Sequence, residues 1–140
     1  MRLWHYKLIP VLPKEMLVSQ WRECIAIKRQ WEKGTLKHRL VSYVKDYDKK
    51  MFLNYVCHIE TEMMHRKIKY QQKYLFEIKD FCKHPLLLSG EHYAEHNDRY
   101  FAQCYYNLEE KHDRGIISDE EWQPIEVLWC DYIIGDAAHE

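Results

Sequence analysis

An all-α fold is predicted for this chain of 140 residues by its apolar periodicity and its shortage of turn residues. Hydrophobic residues make up 46% of the chain and aromatic residues 14%, whereas there are only 4 glycines and 4 prolines. Such a composition can build a core, but it offers few of the turns that many short strands need. The length fits a single domain over residues 1–140, since no repeat or linker divides the chain.

The first helix is predicted from about Pro13 to Trp31, because proline fits a first turn and Gly34 stands where a helix would end. At 100° per residue, one face of this helix is apolar and carries Leu17, Trp21, Cys24 and Trp31. Lys28 falls on the same face, so its ammonium group must reach past the apolar neighbours to water or face a cavity.

Five further helices are predicted from apolar residues at helical spacing and from capping residues. A capping box, in which a serine is followed three residues later by a glutamate, marks the start of the last one. The predicted helices run from about Leu36 to Val44, from Asp48 to about Arg66, from about Gln71 to Cys82, from about Glu91 to Lys111, and onward from Ser118 with Glu121.

The cysteines and the apolar runs bear on cellular location. The 5 cysteines are odd in number and lie more than 20 residues apart, so they lack the close pairs of zinc and redox motifs and are expected to be reduced, largely buried thiols. The opening apolar run is too short and broken for a signal peptide, and no run approaches about 18 apolar residues. We therefore expect a cytoplasmic protein that does not enter a membrane.

Charge is distributed unevenly although the net charge is −1. Residues 1–50 hold 12 Lys and Arg against 5 Asp and Glu, whereas residues 91–140 hold 3 against 13. A basic region of this size could meet a polyanion such as nucleic acid. The alternative is ordinary solvated surface, in which the two regions partly neutralise each other.

Two histidine patterns raise the possibility of a metal site. His92 and His96 belong to an H-x-x-E-H sequence, which on a helix would place two imidazoles one turn apart as zinc ligands. His58, Glu62 and His65 share helical spacing. A chain with 9 histidines produces such patterns by accident, and spacing identifies no third ligand for the first pair. We therefore expect no metal and no cofactor, with zinc-dependent hydrolysis as a minor alternative.

The amino terminus is a better catalytic candidate. An α-amine titrates near pH 7.7 to 8, so a useful fraction is neutral and nucleophilic at physiological pH. Its attack on C1′ of a deoxyribose would expel the base and leave an imine, and a carboxylate could then move protons during strand scission. Glu23 is the candidate carboxylate and Arg22 a candidate phosphate ligand. Spacing alone does not bring Glu23 to Met1.

The opening resembles the phage endonuclease V type of pyrimidine-dimer DNA glycosylase. Leu12, Leu17 and the triplet Trp21-Arg22-Glu23 align without gaps with that family's leucines and its Tyr-Arg-Glu. A cellular branch of the superfamily is more similar still. Its members look like MRLWHY at the front and carry a segment like YYNLEEKHDRGIISDEEW, which this chain has at residues 105–122.

The resemblance implies a compact single-domain helical bundle of the endonuclease V type, with glycosylase and abasic-site lyase activity on damaged double-stranded DNA. It assigns the imine-forming nucleophile to the terminal amine, the essential carboxylate to Glu23 and a grip on the DNA backbone to Arg22. The characterised enzymes also flip out the base opposite the lesion. They expose a threonine amine after removal of methionine, whereas Arg2 is too large for ordinary removal, so the amine here should belong to Met1.

Other departures limit what the resemblance implies. Met16 and Ala26 replace a histidine and a second arginine of the family, and the basic tail is replaced by the acidic DYIIGDAAHE. Arg2 and Arg29 are the remaining candidate phosphate ligands. We expect a monomeric DNA repair enzyme acting on damaged DNA, with pyrimidine dimers as the candidate lesion. The alternative is a non-catalytic nucleic-acid-binding or protein-interaction module on the same fold.

Overall fold

The chain folds into helices joined by irregular segments, as the apolar periodicity predicts. The computed structural model describes residues 1–138, with side chains through residue 135, and this part of the chain contains no strand. The all-α prediction is confirmed. The elements are two short 3-10 helices, η1 (Tyr6–Val11) and η2 (Ser42–Asp46), and five α-helices, α1 (Lys14–Lys33), α2 (Lys49–His65), α3 (Gln72–Cys82), α4 (Asp98–Asp113) and α5 (Asp119–Ala138).

The helix ends follow the signals read from the sequence. Gly34 ends α1 with φ of 74°, a left-handed conformation that glycine adopts without a Cβ clash. The side chain of Asp48 accepts a hydrogen bond from the Lys50 amide at 2.9 Å at the start of α2. In the capping box of α5, the Glu121 amide donates to Ser118 Oγ at 3.1 Å, and Glu121 Oε1 accepts from the Ser118 amide at 3.1 Å.

Two predicted helices are wrong in extent. The segment predicted to be helical from Glu91 is irregular up to Asn97, whose side chain accepts a hydrogen bond from the Tyr100 amide and caps α4. The reason lies on α2, where the buried Asn54 donates to the Glu91 carbonyl at 2.9 Å and accepts from the Ser89 amide at 2.7 Å. These bonds hold the backbone in a non-helical path. The helix predicted over residues 36–44 is only the short η2.

Helix α2 lies at the centre of the fold. It contacts α1, α3 and both 3-10 helices, while α4 packs against α5. Seven consecutive residues of α2, from 51 to 57, are buried, so this helix has core around most of its circumference. The side chains of Phe52, Val56 and Ile59 have no exposed surface.

The cysteines are free thiols, four of them buried, while Cys130 is exposed. Burial raises the pKa of Cys82 to about 12, so this thiol stays protonated and unreactive near neutral pH. No helix within residues 1–138 is long and apolar enough to cross a membrane. Residues 139 and 140 of the acidic tail lie outside the described residues.

Two buried histidines fasten the amino-terminal segment to the loop before α4. His5 accepts a hydrogen bond from the Lys7 amide at Nδ1, and its Nε2–H donates to the His96 carbonyl at 2.9 Å. His96 accepts from the Tyr6 amide at Nδ1, and its Nε2–H donates to the Tyr43 hydroxyl at 2.9 Å. A backbone N–H can only donate, so each ring must be neutral to accept from it.

Burial reinforces this neutrality. Desolvation, opposed in part by the bond to His96, lowers the pKa of His5 to about 4. Desolvation, followed by the nearby His5 and His92, lowers the pKa of His96 to about 3. Protonation of either ring would break a hydrogen bond that holds the segment in place.

We predict that the free energy of unfolding falls as pH is lowered from about 6.5 to about 5. In this range the unfolded chain protonates both imidazoles, whereas the folded chain keeps them neutral; the loss approaches about 1.4 kcal/mol per pH unit for each histidine. Urea denaturation at a series of pH values measures this dependence of the free energy of unfolding on pH. His96→Gln should reduce the slope, whereas His65→Gln should not, because the exposed His65 ring accepts no backbone hydrogen bond in the described part of the chain. Equal wild-type stability at pH 7 and 5 would contradict the neutral pair.

Candidate active site

The backbone just after Met1 is held by a glutamine of α1. Gln20 is buried, with 1% of its surface exposed. Its Nε2 donates to the Arg2 carbonyl at 2.9 Å, and its Oε1 accepts from the Trp4 amide at 2.8 Å. The side-chain amide of Gln20 therefore bonds a backbone carbonyl and a backbone N–H of residues 2–4, and it holds these residues against the first turns of α1.

Tyrosines from two other helices complete this attachment. The Tyr55 hydroxyl of α2 lies 2.7 Å from the Trp4 carbonyl and 2.8 Å from Gln20 Oε1. The Tyr100 hydroxyl of α4 donates to the Leu3 carbonyl at 2.5 Å. Three helices thus hold residues 2–4, and the chain that leads to the amino terminus is ordered by buried hydrogen bonds.

Glu23 is tied to the same glutamine. Gln20 Nε2 also donates to Glu23 Oε2 at 3.1 Å, so one nitrogen bonds both the Glu23 carboxylate and the Arg2 carbonyl. The distance between Glu23 Oε2 and the Arg2 carbonyl oxygen therefore cannot exceed the sum of these two hydrogen-bond lengths. Met1 precedes Arg2 and is 37% exposed. The structure therefore brings the candidate carboxylate to the residue next to the candidate nucleophile.

Of the predicted phosphate ligands, Arg22 is exposed, whereas Arg2 is only partly exposed and lies beside Tyr100 and Cys104. Arg22 is exposed on α1, and its guanidinium makes no ion pair within the described part of the chain. Arg2 is partly exposed, with its guanidinium carbon 5.4 Å from the centre of the Trp4 ring. A charge that is not already neutralised is available to an approaching anion.

Arg29 is placed differently from the sequence prediction. Its guanidinium donates two hydrogen bonds to Glu77 of α3, at 3.1 and 3.2 Å, and lies over the Tyr74 ring. The bonded Arg29 lowers the pKa of the Glu77 carboxyl. Lys28 approaches Glu77 at 3.4 Å and Glu32 at 3.0 Å, which answers how this lysine is accommodated on an apolar face. Arg29 as a phosphate ligand stays a prediction, but its charge is already paired.

A groove of about 790 Å³ lies between α1, α3 and the loop that joins α2 to α3. Arg22 and Lys69 stand on its walls, and amides and aromatic rings form much of the rest. A planar aromatic group with an attached phosphate suits such a lining, since the rings offer stacking surface and the cations offer charge. The lining residues include Trp21, Ile25, Arg29, Gln30, Met63, Tyr70, Gln71 and Tyr74.

The histidine patterns do not form a metal site. His92 precedes α4 and stacks on Tyr6 with ring centres 3.6 Å apart, and His96 uses both ring nitrogens in the hydrogen bonds described above. His58 binds the Ser89 carbonyl. Among the side chains that the structure describes, which extend through residue 135, no group of three or more His, Cys, Asp or Glu is placed to share a metal ion.

The sequence did not indicate Gln20 or Tyr55 as site residues. Gln20 lies on the buried face of a helix, where a polar side chain requires hydrogen-bonding partners. This burial is a detectable signal, but it names no partner, because three of the partners, Trp4, Arg2 and Tyr55, are 16 to 35 residues away along the chain. Only the folded structure shows that they all belong to the amino-terminal site.

Comparison with known proteins identifies the family. A family model described as pyrimidine dimer DNA glycosylase matches residues 1–76. No curated protein and no solved structure matches the chain. The matched region covers more than half of the chain and includes Met1, Gln20, Glu23 and the groove walls up to Tyr74. By this match the chain belongs to the pyrimidine dimer DNA glycosylase family.

Proposed function

We propose that this protein is a DNA repair glycosylase that also cleaves at abasic sites, with the α-amine of Met1 as nucleophile and Glu23 as acid/base group. The observation that carries the proposal is the shared bonding of Glu23 and the Arg2 carbonyl to Gln20 Nε2. This geometry supports a carboxylate next to the amine. Amine chemistry of this kind requires no metal or cofactor.

The reaction follows from these two groups. The amine attacks C1′ of the damaged nucleotide, the bond from C1′ to the base breaks, and its electron pair leaves with the base. Loss of the amine proton and opening of the sugar, with O4′ taking a proton, give an imine. Glu23 then removes a proton from C2′, the bond from C3′ to oxygen breaks, and the strand is cut with the phosphate on the leaving fragment.

Damaged duplex DNA fits the charged surface of the site. Arg22 and Arg2 would contact backbone phosphates, and the groove beside Arg22 would receive a base extruded from the duplex. Stacking of a base on aromatic rings is worth about 1–3 kcal/mol, and unstacking costs least at a damaged site. The family match supports pyrimidine dimers as one substrate of the site. The free thiols support a reducing, cytoplasmic location, and we propose that the protein acts as a monomer.

We predict that borohydride traps the protein covalently on a duplex with one abasic site. Acetylation of the terminal amine should abolish the adduct, because an acetylated nitrogen cannot form an imine. Glu23→Gln should slow strand scission by about 10²-fold or more, the usual worth of a positioned acid/base group. Intact mass spectrometry first establishes that the sample begins at an unblocked Met1.

The matched control is Glu15→Gln, which removes an exposed carboxylate from the first turn of the same helix and should cut at the wild-type rate. An adduct that survives acetylation would contradict the nucleophile. DNA binding without any adduct, from a sample with a free Met1 amine, would favour the non-catalytic binding module.

We predict that Arg22→Ala weakens DNA binding more than Arg29→Ala. Arg22 is unpaired among the described residues, so its loss should lower the slope of log affinity against log salt by about one. Arg29 is neutralised by Glu77, so its loss should change the slope much less. Fluorescence anisotropy over a salt series measures both, and Glu77→Gln should raise affinity by releasing Arg29. Equal slopes for the two arginine variants would contradict this assignment.

A further inference from the structure

Gln20 makes all of its observed hydrogen bonds inside the candidate active site. Its carbonyl oxygen faces the Trp4 amide and the Tyr55 hydroxyl, and its nitrogen faces the Arg2 carbonyl and Glu23. The orientation of the amide is determined, because the Trp4 N–H can only donate and must meet an oxygen. The two N–H groups therefore point at the Arg2 carbonyl and the carboxylate.

The position of Gln20 on α1 makes this arrangement possible. Residues three apart are neighbours on a helix surface, so Gln20 lies directly beside Glu23. Gln20 shares the buried face of α1 with Leu17 and Cys24, where an unpaired amide would lose its hydration without compensation. The amino-terminal segment, Tyr55 and Glu23 supply the hydrogen-bonding partners that the buried Gln20 amide needs. In turn, the amide pairs backbone groups of the segment.

We propose that Gln20 is a positioning residue that holds the Glu23 carboxylate against the chain carrying the Met1 amine; this inference rests on the proposed function. Glutamate has several rotatable bonds, and a fixed donor selects the rotamer that faces the amino terminus. The same donor group fixes the Arg2 carbonyl, so the two reacting groups keep one relative placement. Gln20 acts through these groups and does not itself touch the DNA.

Gln20→Glu tests the donor role with almost no change in shape. The introduced carboxylate still accepts hydrogen bonds from the Trp4 amide and the Tyr55 hydroxyl, but it has no N–H for Glu23. We expect the single-turnover rate of strand scission at an abasic site to fall by about tenfold to 100-fold, as expected when a reacting group is misplaced by about 1 Å. The Kd for DNA should stay within about threefold of wild type, since phosphate contacts are unchanged.

The pH profile and the Kd together distinguish positioning from a general structural defect. At lower pH the introduced carboxylic acid becomes protonated and regains one donor, so the rate ratio of wild type to Gln20→Glu should shrink between about pH 8 and pH 5.5. A structural defect would instead weaken DNA binding and scission together, whereas loss of positioning lowers scission with the Kd unchanged. Gln123→Glu makes the same change at an exposed position of α5 and should match wild type throughout.

Should Gln20→Glu fail to fold by circular dichroism, Gln20→Asn replaces it, because it keeps the amide but shortens the side chain by one methylene. The same loss of scission with unchanged Kd is expected. Scission within twofold of wild type, or a rate ratio independent of pH, overturns the role of Gln20. Absence of a trapped adduct from wild type overturns the proposed function instead, and the positioning role with it, so the two failures are distinguishable.

Discussion

Residues 2–4 run through a helical protein without belonging to a helix, and side chains pair their carbonyl groups and the Trp4 amide. Buried N–H and C=O groups are almost always paired, and here no helix or sheet ladder pairs them. Gln20, Tyr55 and Tyr100 perform this role from three different helices. The same hydrogen bonds therefore join α1, α2 and α4 around this segment and determine where the amino terminus lies.

The proposed reactive groups, the Met1 amine and the Glu23 carboxylate, would be positioned by this constraint. A terminal amine at the end of a frayed chain would sample many positions, and each would have to be given up before reaction. Anchoring at Arg2 and Trp4 leaves only Met1 beyond the last held residue. The neutral His5 and His96 add a second anchor just downstream, so the segment is fixed on both sides of Trp4.

Local rules in the sequence predict most of the helices but not the contacts that assemble the site. Gly34, Asp48 and the Ser118 capping box act within a few residues, so pattern reasoning locates them. Local patterns do not predict the loop before α4, because Asn54, which bonds its backbone, lies 35 to 37 residues away along the chain. In the same way, Arg29 reads as a free cation until the fold brings Glu77, 48 residues away, against it.

The acidic carboxyl-terminal half has a partly structural explanation. Asp119, Glu120 and Glu121 occupy the first turn of α5, where carboxylates interact favourably with the helix dipole and Glu121 completes the capping box. Net charge by region therefore overstates the repulsion that DNA would meet. The charges proposed to contact DNA lie near the amino-terminal segment, where Arg22 is exposed and Arg2 is partly exposed.

The most direct test of the central claim is to locate the covalent bond by peptide mapping of the borohydride-reduced adduct with an abasic duplex. If the anchored amino terminus is the nucleophile, tandem mass spectrometry should place the sugar remnant on the α-nitrogen of Met1, in the peptide that begins the chain. Attachment instead to the side chain of a lysine, such as the groove residue Lys69, would contradict the account and assign the chemistry to a different amine.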